Sequence, residues 1–546
     1  MSNASIENVS PISKKITLII WTIGVLSFIL LSPKWVVPLA VWIAPACLLF
    51  FVRFWKGRIK WLWIFVGLLT AQLIAAYEVI PAPTLIFIIM SIVVSIIGLI
   101  PYWLHDSVNK KSNRFIATLV FPSICVVLEF WDSFGGGGIW SSRANSQYSF
   151  IYLAQLASVT GLWGISFLIA WFNSIIVWCI ERKLSGESFT KPLMVYSSAF
   201  LIVTTFGFYR IHFSDRESTR KIKLGGVTIP LFKTMELIYE EFSDNKITID
   251  PKSSQTSESL QQFSKAFLAI LENPDTLKFP KSMKALKNTS DSLFLFSKRA
   301  ANQGAQIVSW SEASCLIFPD QEKSLIEEGR KVAEEKQIYL LMTYAVLHPG
   351  KVTPDKKFME NKAVFIGPDG DVLNEFYKNK PVPMAESSVQ GDGKIPVIET
   401  AYGKISISIC YDADFPELMK QLSKNESDLL LLPSGDWFAI APYHSYMSVF
   451  RGIENGTSIF RQVNGGLSFV SNSHGEIRAS KNFFTDDRKF WVTETQIGHV
   501  KTLYAKLGDW VAYLSILIAS MSVLYLITAF VKNKIESRKQ KYVTTA

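Results

Sequence analysis

Cysteine and histidine are both scarce in this chain, at 5 and 6 residues in 546. Cys47, Cys125 and Cys179 lie inside long apolar runs, which leaves only Cys315 and Cys410 for a water-facing part and room there for at most one disulfide. A disulfide-stapled fold is thereby excluded. The histidines, His105, His212, His348, His444, His474 and His499, show no ligand-type spacing, so neither a metal nor any other cofactor is expected. A small-residue cleavage site is missing after the first apolar run and more runs follow, which argues against a cleaved signal peptide. Charge is thin too, at 19% of residues against 49% hydrophobic. One long stretch, Lys221 to about Lys506, holds no apolar run of the roughly 20 residues that crossing a bilayer requires.

Outside that stretch such runs dominate. Ile16–Leu31, Val36–Val52, Trp61–Tyr77, Thr84–Trp103, Phe115–Trp131, Leu156–Ile180, Pro192–Tyr209 and Trp510–Val531 each approach or exceed spanning length. The organisation expected is therefore a membrane domain over 1–213 with seven helices, a water-exposed domain over 214–506, and a final span with a basic tail over 507–546. Lys and Arg fall in every second connection: Lys14 and Lys15; Arg53, Lys56, Arg58 and Lys60; Lys110, Lys111 and Arg114; Arg182, Lys183 and Lys191; then Lys532 onward. The intervening connections carry only Lys34 and Arg143. By the positive-inside rule both termini are cytoplasmic and the large domain is extracytoplasmic. The same pattern accounts for much of the net charge of +10, which is not read as a nucleic-acid signal.

Within the large domain the sharpest feature is Gly403–Leu418. Ile405, Ile407 and Ile409 alternate with Ser406 and Ser408 as in a half-buried strand, and the pattern breaks at Cys410. Pro416 suits the first turn of a helix over Glu417–Leu422. Cys410 thus falls at a strand-to-helix elbow, either as an exposed nucleophile whose neighbour Tyr411 offers a backbone N–H, or as a small packed hydrophobe. Cys315 reads as a small packed residue. Strands are expected at Ile222–Pro230, Gln306–Trp310, Ile338–Tyr344, Ala363–Ile366, Val372–Tyr377 and Leu429–Leu432, with hairpin turns at Pro368–Asp371 and Ser473–Glu476. Helices are expected at Asp291–Asn302, Glu322–Glu335 and Tyr443–Asn455, the last stopped by Gly456. Alternating strands and helices indicate an α/β layered domain. The polar segment 231–289, broken by Pro251, Pro274 and Pro280 and holding one amphipathic helix at Ser257–Leu271, reads as an inserted, flexible arm.

Three strand ends carry Glu312, Lys378 and Cys410. A thiol attacking a carbonyl needs a base for its proton and a cation for the oxyanion, and these residues supply both. Val308-Ser-Trp-Ser-Glu312, Phe376-Tyr-Lys378, and Ile409-Cys410-Tyr411 with Phe415-Pro416 resemble the motifs of the nitrilase, or carbon–nitrogen hydrolase, superfamily. Among its branches the membrane runs make the chain similar to the apolipoprotein N-acyltransferase family. Further matches are Glu129-Phe-Trp131, Val382-Pro383 with Glu386, Trp437-Phe438, Arg451, Arg461 with Asn464-Gly465, and Gly475-Glu476-Ile477. The resemblance implies an α-helical membrane domain of about eight spans joined to an αββα sandwich. It also implies a ping-pong transfer of an acyl chain from a phospholipid, through a thioester on Cys410, to the α-amine of a lipoprotein's diacylglyceryl-cysteine. Glu312 would be general base, Lys378 the oxyanion and thiolate stabiliser, Glu386 an acid supporting Lys378, and Tyr411 a backbone donor. Glu129, Trp140, Trp437, Phe438 and Asp412 are candidate lipid contacts, and the chain would act as a monomer in the bacterial cytoplasmic membrane. It departs from the family pattern at Met384-Ala385, where Phe-Gly is usual, at Asp412, where Glu commonly follows Cys-Tyr, and before the acid Glu312, where a Pro is usual. A membrane-tethered amidase using water, or a non-catalytic lipoprotein-binding relative, are the alternatives.

Glu129 sits near the end of an apolar run, where an acid is costly unless paired or wetted, and Gly135–Gly138 with Trp140 form a pliable loop beside it. Together with the arm these are expected to flank a lipid entrance. Maleimide labelling or proteolysis of intact spheroplasts checks the expected topology: the segment 221–506 should react from outside, and protection of it would reverse the orientation.

Overall fold

In a computed structural model the described residues are 12–112, 114–213, 221–243, 245–253, 257–272, 278–350 and 357–544. The boundary expected near residue 214 and parts of the 231–289 arm lie outside them. The chain forms two compact units: one of residues up to Tyr77, Thr84–Arg210 and Leu507 onward, the other of Glu78–Pro83 and Ile211–Lys506.

The first unit is helical. Helices occur at Lys14–Ile29, Ala40–Phe54, Lys60–Ala76, Thr84–Asn109, Val120–Asp132, Leu162–Leu184, Thr190–Phe213 and Trp510–Thr544. Among the described residues five helical segments are long and apolar enough to cross a membrane: Thr84–Asn109, Phe115–Asp132, Leu162–Leu184, Thr190–Phe213 and Trp510–Ser537. The first three expected spans are helices of 16, 15 and 17 residues, cut short where Ser32-Pro33, Pro38 and the Pro81-Ala-Pro83 connection end them. The sixth expected run is also interrupted, because Gly161 adopts φ +63° and the long helix begins only at Leu162. Apolar side chains on the last helix, including Leu517, Met521, Leu524 and Phe530, stay exposed, as a lipid-facing surface requires. Charges are paired: Glu129 with Arg143, Arg53 with Glu181, and Lys60 with Asp106 at 2.7 Å.

The second unit is built on two sheets. Its strands in chain order are β1 Lys221–Val227, β2 Ile307–Trp310, β3 Leu316–Ile317, β4 Tyr339–Leu347, β5 Met359–Ile366, β6 Val372–Tyr377, β7 Val397–Thr400, β8 Gly403–Ile407, β9 Leu429–Gly435, β10 Ser458–Asn464, β11 Leu467–Ser471, β12 Ile477–Asn482 and β13 Phe490–Gln496. One sheet has the order β13-β1-β2-β4-β5-β6 with β3 beside β4, the other β12-β11-β10-β9-β8-β7. β1, β2 and β4 are parallel, as are β8, β9 and β10. Helices Pro280–Asn302 and Pro319–Lys336 pack on the first sheet, and helix Tyr443–Asn455 packs on the second. This is the αββα sandwich. Its central strands read as continuous apolar runs because both faces are covered, and β4 is buried along its whole length. Between the sheets Gln462 on β10 donates to Thr228 Oγ1 at 2.5 Å and accepts from Trp491 Nε1 at 2.8 Å. Gly226 on β1 makes room for it, since a Cβ there would lie 1.9 Å from Gln462 Oε1.

The arm is not the loose insertion that its composition suggests. Helices Phe232–Ser243, Glu258–Glu272 and the start of Pro280–Asn302 pack around Ile238, Ile249, Phe263, Ile270, Phe279 and Leu286. Its prolines punctuate helices: Pro280 occupies the first turn of one, where its missing N–H costs nothing. The elbow also differs in detail. Cys410–Asp414 is a tight 3₁₀ turn, followed by short helices Pro416–Met419 and Gln421–Lys424 in place of one helix.

Gly456 closes helix Tyr443–Asn455 at φ +64°, and a Cβ on it would meet the Val500 carbonyl oxygen at 1.7 Å. Gly456→Ala combines a left-handed backbone with a clash against main chain. It should destabilise the second unit by about 1–3 kcal/mol, the usual cost of overpacking, seen as a lower denaturant midpoint at unchanged slope.

Candidate active site

The site lies where strands of both sheets end. β2, β4 and β6 run the same way in one sheet, and Glu312 and Lys378 follow the C-terminal ends of β2 and β6. In the other sheet Cys410 follows β8, and Gly435-Asp436 ends β9. Functional groups at the carboxyl ends of strands are the common placement in α/β sheets. The backbone N–H of Glu312 donates to Ser434 O at 3.3 Å, joining the two sheets at this point.

Lys378 is the centre of the first cluster. Its Nζ donates to Glu312 Oε1 at 2.7 Å and to Glu386 Oε2 at 2.6 Å, with the ammonium 1% exposed. Asn361 on β5 repeats the bridge with a neutral donor: its Nδ2 lies 2.8 Å from Glu312 Oε1 and 2.9 Å from Glu386 Oε1. The Ser388 hydroxyl and the Val382 N–H complete the hold on Glu386. Burial alone would lower the Lys378 pKa, but the two carboxylates outweigh it and hold the amine well above its ordinary value. Burial likewise works to raise Glu386, and the Lys378 charge with its hydrogen bonds wins, leaving that carboxyl below its ordinary value. The hydrogen bonds from Asn361 and Lys378 to Glu312 both fall on Oε1, whereas its Oε2 is directed at Gly435, where a Cβ would stand 3.3 Å away.

Cys410 faces the same glycine. Its thiol donates to Gly435 O at 3.5 Å, and its backbone is held at φ +48°, a left-handed conformation that costs about 1–3 kcal/mol for a non-glycine residue. The expected exposure of the thiol is not found: Cys410 is 2% exposed, enclosed by Gly435 and by its own turn. Burial first and the Glu312 charge second push the thiol well above its usual pKa, and Lys378 only partly opposes them. That direction favours the neutral thiol over a standing thiolate.

Asp412, a candidate lipid contact by sequence, has its carboxylate committed to main chain. It is fully buried beneath the elbow, where Oδ1 accepts the Lys380 N–H at 2.6 Å and Oδ2 the Ile409 N–H at 3.1 Å. Burial raises it to about 7 against the pull of Lys378 and these N–H groups. The shorter Asp suits this task because the donors it accepts from are main-chain N–H groups within three residues of it or of Lys378. Tyr411 is buried and its ring meets Phe415 edge-on at 5.2 Å. Trp437 commits its indole N–H to Glu78 O at 2.9 Å, whereas Phe438 remains exposed against Phe484. Glu129 and Trp140 belong to the other unit, and pairing with Arg143 already meets the cost of burying Glu129.

Sequence reasoning missed Asn361 and a second cluster. His444, in the first turn of helix Tyr443–Asn455, has Nδ1 2.7 Å from Asp436 Oδ1 and Nε2 3.1 Å from Asp414 Oδ2. Arg461 on β10 donates from Nη2 to Asp436 Oδ1 at 3.1 Å, and all four side chains are essentially sealed from solvent. Cys410, Asp436 and His444 bring ligand-type atoms within 4.8 Å of one another. Both imidazole nitrogens are turned to carboxylates, so this is a salt-linked network and not a metal cradle. Cys315 is a buried core residue, as expected.

Residues 252–487 match the carbon-nitrogen hydrolase family model, and residues 18–175 match the model of the apolipoprotein N-acyltransferase N-terminal domain. An apolipoprotein N-acyltransferase of Geobacter metallireducens is 26% identical over 450 residues, covering 77% of this chain and 76% of that one. Apolipoprotein N-acyltransferase 1 of Treponema denticola is 21% identical over 549 residues, 94% and 96% of the two chains. An amidase crystal structure from Nesterenkonia sp. aligns with 52% of this chain and 92% of its own at 17% identity and a TM-score of 0.34.

Lys378→Met leaves Glu312 and Glu386 facing each other without a cation. Loss of one partner from a buried ion cluster costs about 3–5 kcal/mol, read by denaturant unfolding at pH 7, and adding Glu386→Gln should recover part of it. The sign with pH follows from Glu386. Its depressed pKa contributes stability above its unfolded value of about 4.3, and that contribution should vanish below it in wild type and be missing throughout in the double variant.

Proposed function

The chain belongs to the apolipoprotein N-acyltransferase family, the membrane branch of the carbon–nitrogen hydrolases, and we propose that it works by a thioester on Cys410. It is a bacterial membrane acyltransferase that N-acylates lipoproteins. The donor in this reading is a phospholipid, and the acceptor is the α-amine of an N-terminal diacylglyceryl-cysteine.

The observation that carries the reading is the convergence of Glu312 Oε2 and the Cys410 thiol on Gly435, with the Lys378 ammonium fixed beside them. As sulfur attacks the ester carbonyl, the thiol proton passes to Glu312 Oε2, the oxygen that Lys378 and Asn361 leave uncommitted. A neutral resting thiol makes this proton transfer part of the attack itself. The carbonyl oxygen gains the negative charge, which Lys378 Nζ and the backbone N–H at Tyr411 would stabilise. Collapse breaks the ester C–O bond, Glu312 returns the proton to the departing lysophospholipid oxygen, and the acyl group stays on sulfur. The amine then attacks the thioester, Glu312 takes its proton, and sulfur leaves as the thiol. A site at bilayer level with little water suits a thioester that must wait for a second lipid substrate. The alternating basic connections support an extracytoplasmic catalytic domain. We propose that the protein acts as a monomer.

Incubation of wild type with phospholipid alone should give a burst of lysophospholipid equal to the enzyme present, then a halt until a diacylated lipopeptide with a free α-amine is added. Mass analysis should place one acyl group on Cys410. Cys410→Ser and Glu312→Gln should abolish the burst, and Lys378→Ala should slow it by about 10²–10³-fold. Steady release of free fatty acid without acceptor would instead mark a hydrolase using water, and the absence of any adduct would refute the thioester route.

A further inference from the structure

The Asp414–His444–Asp436–Arg461 network lies close to the Cys410 thiol, and the acyl-transfer steps above do not use it. Asp414 is the last residue of the 3₁₀ turn that starts with Cys410. Asp436 directly follows Gly435, whose carbonyl receives the thiol hydrogen bond. His444 thus bridges the two chain segments that fix the sulfur, with Nε2 on Asp414 and Nδ1 on Asp436. A neutral imidazole has one N–H, so either tautomer would turn a lone pair on a carboxylate at 2.7 or 3.1 Å. Arg461 Nη2 also lies 3.0 Å from Nδ1, but Asp436 Oδ1 is the nearer partner, and only the doubly protonated ring gives an N–H to both carboxylates.

We propose that His444 is a positioning residue: an imidazolium staple that ties the Cys410 turn to the end of β9 and cancels the carboxylate charge behind the sulfur. The proposal rests on Cys410 being the nucleophile. The charges facing His444 are Asp414 from the turn, Asp436 from the end of β9 and Arg461 from β10; those facing the thiol are Glu312, Asp436, Lys378 and Arg461, with Asp412 engaged beneath it. Two anions and two cations make the network neutral. Without the imidazolium it carries one net negative charge within 4.8 Å of Sγ, beside the charge already on Glu312. Loss of the proton from sulfur then becomes harder, and the strained φ +48° at Cys410 loses one of its restraints. Burial opposes protonation of His444, but the two carboxylates raise it to about 9, so the staple holds through neutral pH and releases above that value.

The test uses the full-length protein in lipid nanodiscs and reads the thiol directly, without acyl transfer. Rates of Cys410 alkylation by iodoacetamide are measured from pH 6 to 10 for wild type, His444→Gln and Asp436→Asn/His444→Gln, with Cys410→Ala as blank. In His444→Gln the profile should move up by about one pH unit, an approximately tenfold slower reaction at pH 7.5. The double variant, with the uncompensated carboxylate removed, should return to within about threefold of wild type. Equal profiles for wild type and His444→Gln, or no recovery in the double variant, would overturn the proposal. If His444→Gln does not fold, nitrogen NMR of histidine-labelled wild type decides. Two ring protons on His444 at pH 7.5 support the staple, and a neutral tautomer overturns it. Failure of the thioester route itself would appear separately, as wild-type alkylation by iodoacetamide with no acylation by phospholipid.

Discussion

A single ammonium group, Lys378 Nζ, is almost completely withdrawn from water and held between two carboxylates. Three charges in so small a volume are tolerable only if every geometry is good, because the desolvation of each ion costs several kcal/mol. The neighbouring chain is arranged to meet that demand. β5 brings Asn361 to both acids, the 382–386 turn presents Glu386 with a backbone donor, and the end of β2 is pinned across the sandwich by Ser434. The first cluster is therefore rigid before any substrate arrives, the condition under which a fixed charge stabilises a developing oxyanion.

Around the sulfur there are two electrostatic systems with Gly435 between them. On one side Glu312 and Lys378 share an ion pair; on the other His444 and Arg461 balance Asp414 and Asp436. Gly435 is the residue both sides approach, accepting from the thiol at 3.5 Å and leaving room for Glu312 Oε2. A side chain at 435 would crowd the carboxylate that has to reach the proton.

Much of this was legible in the residues. Alternation at Ile405–Ile409, continuous apolar runs at 340–346 and 429–432, and the glycine after Asn455 mark strands and a helix end that the structure places within a few residues. Glu312, Lys378 and Cys410 stood out because each follows a strand. Asn361 and His444 did not: Asn361 sits inside a strand, His444 inside a helix, and both gain meaning only from partners 8 to 49 positions away that the fold brings close. Edge strands β7 and β13 were invisible for a related reason. β7 is only four residues long with none of them buried, β13 does not alternate cleanly, and neighbours in space fix both as strands. The 231–289 arm misled through its composition, since a small helical core needs only a few apolar residues at the right spacing.

The protonated state of Cys410 also bears on the durability of the protein. Thiolates attack peroxide and disulfides, so a low-pKa exposed cysteine is readily converted to sulfenic acid or a mixed disulfide. Here the sulfur is sealed from solvent, keeps its proton at rest, and has Cys315 as the only other cysteine of its unit, itself buried in the core of the opposite sheet. The burial that raises the Cys410 pKa is also what shields the sulfur from oxidants.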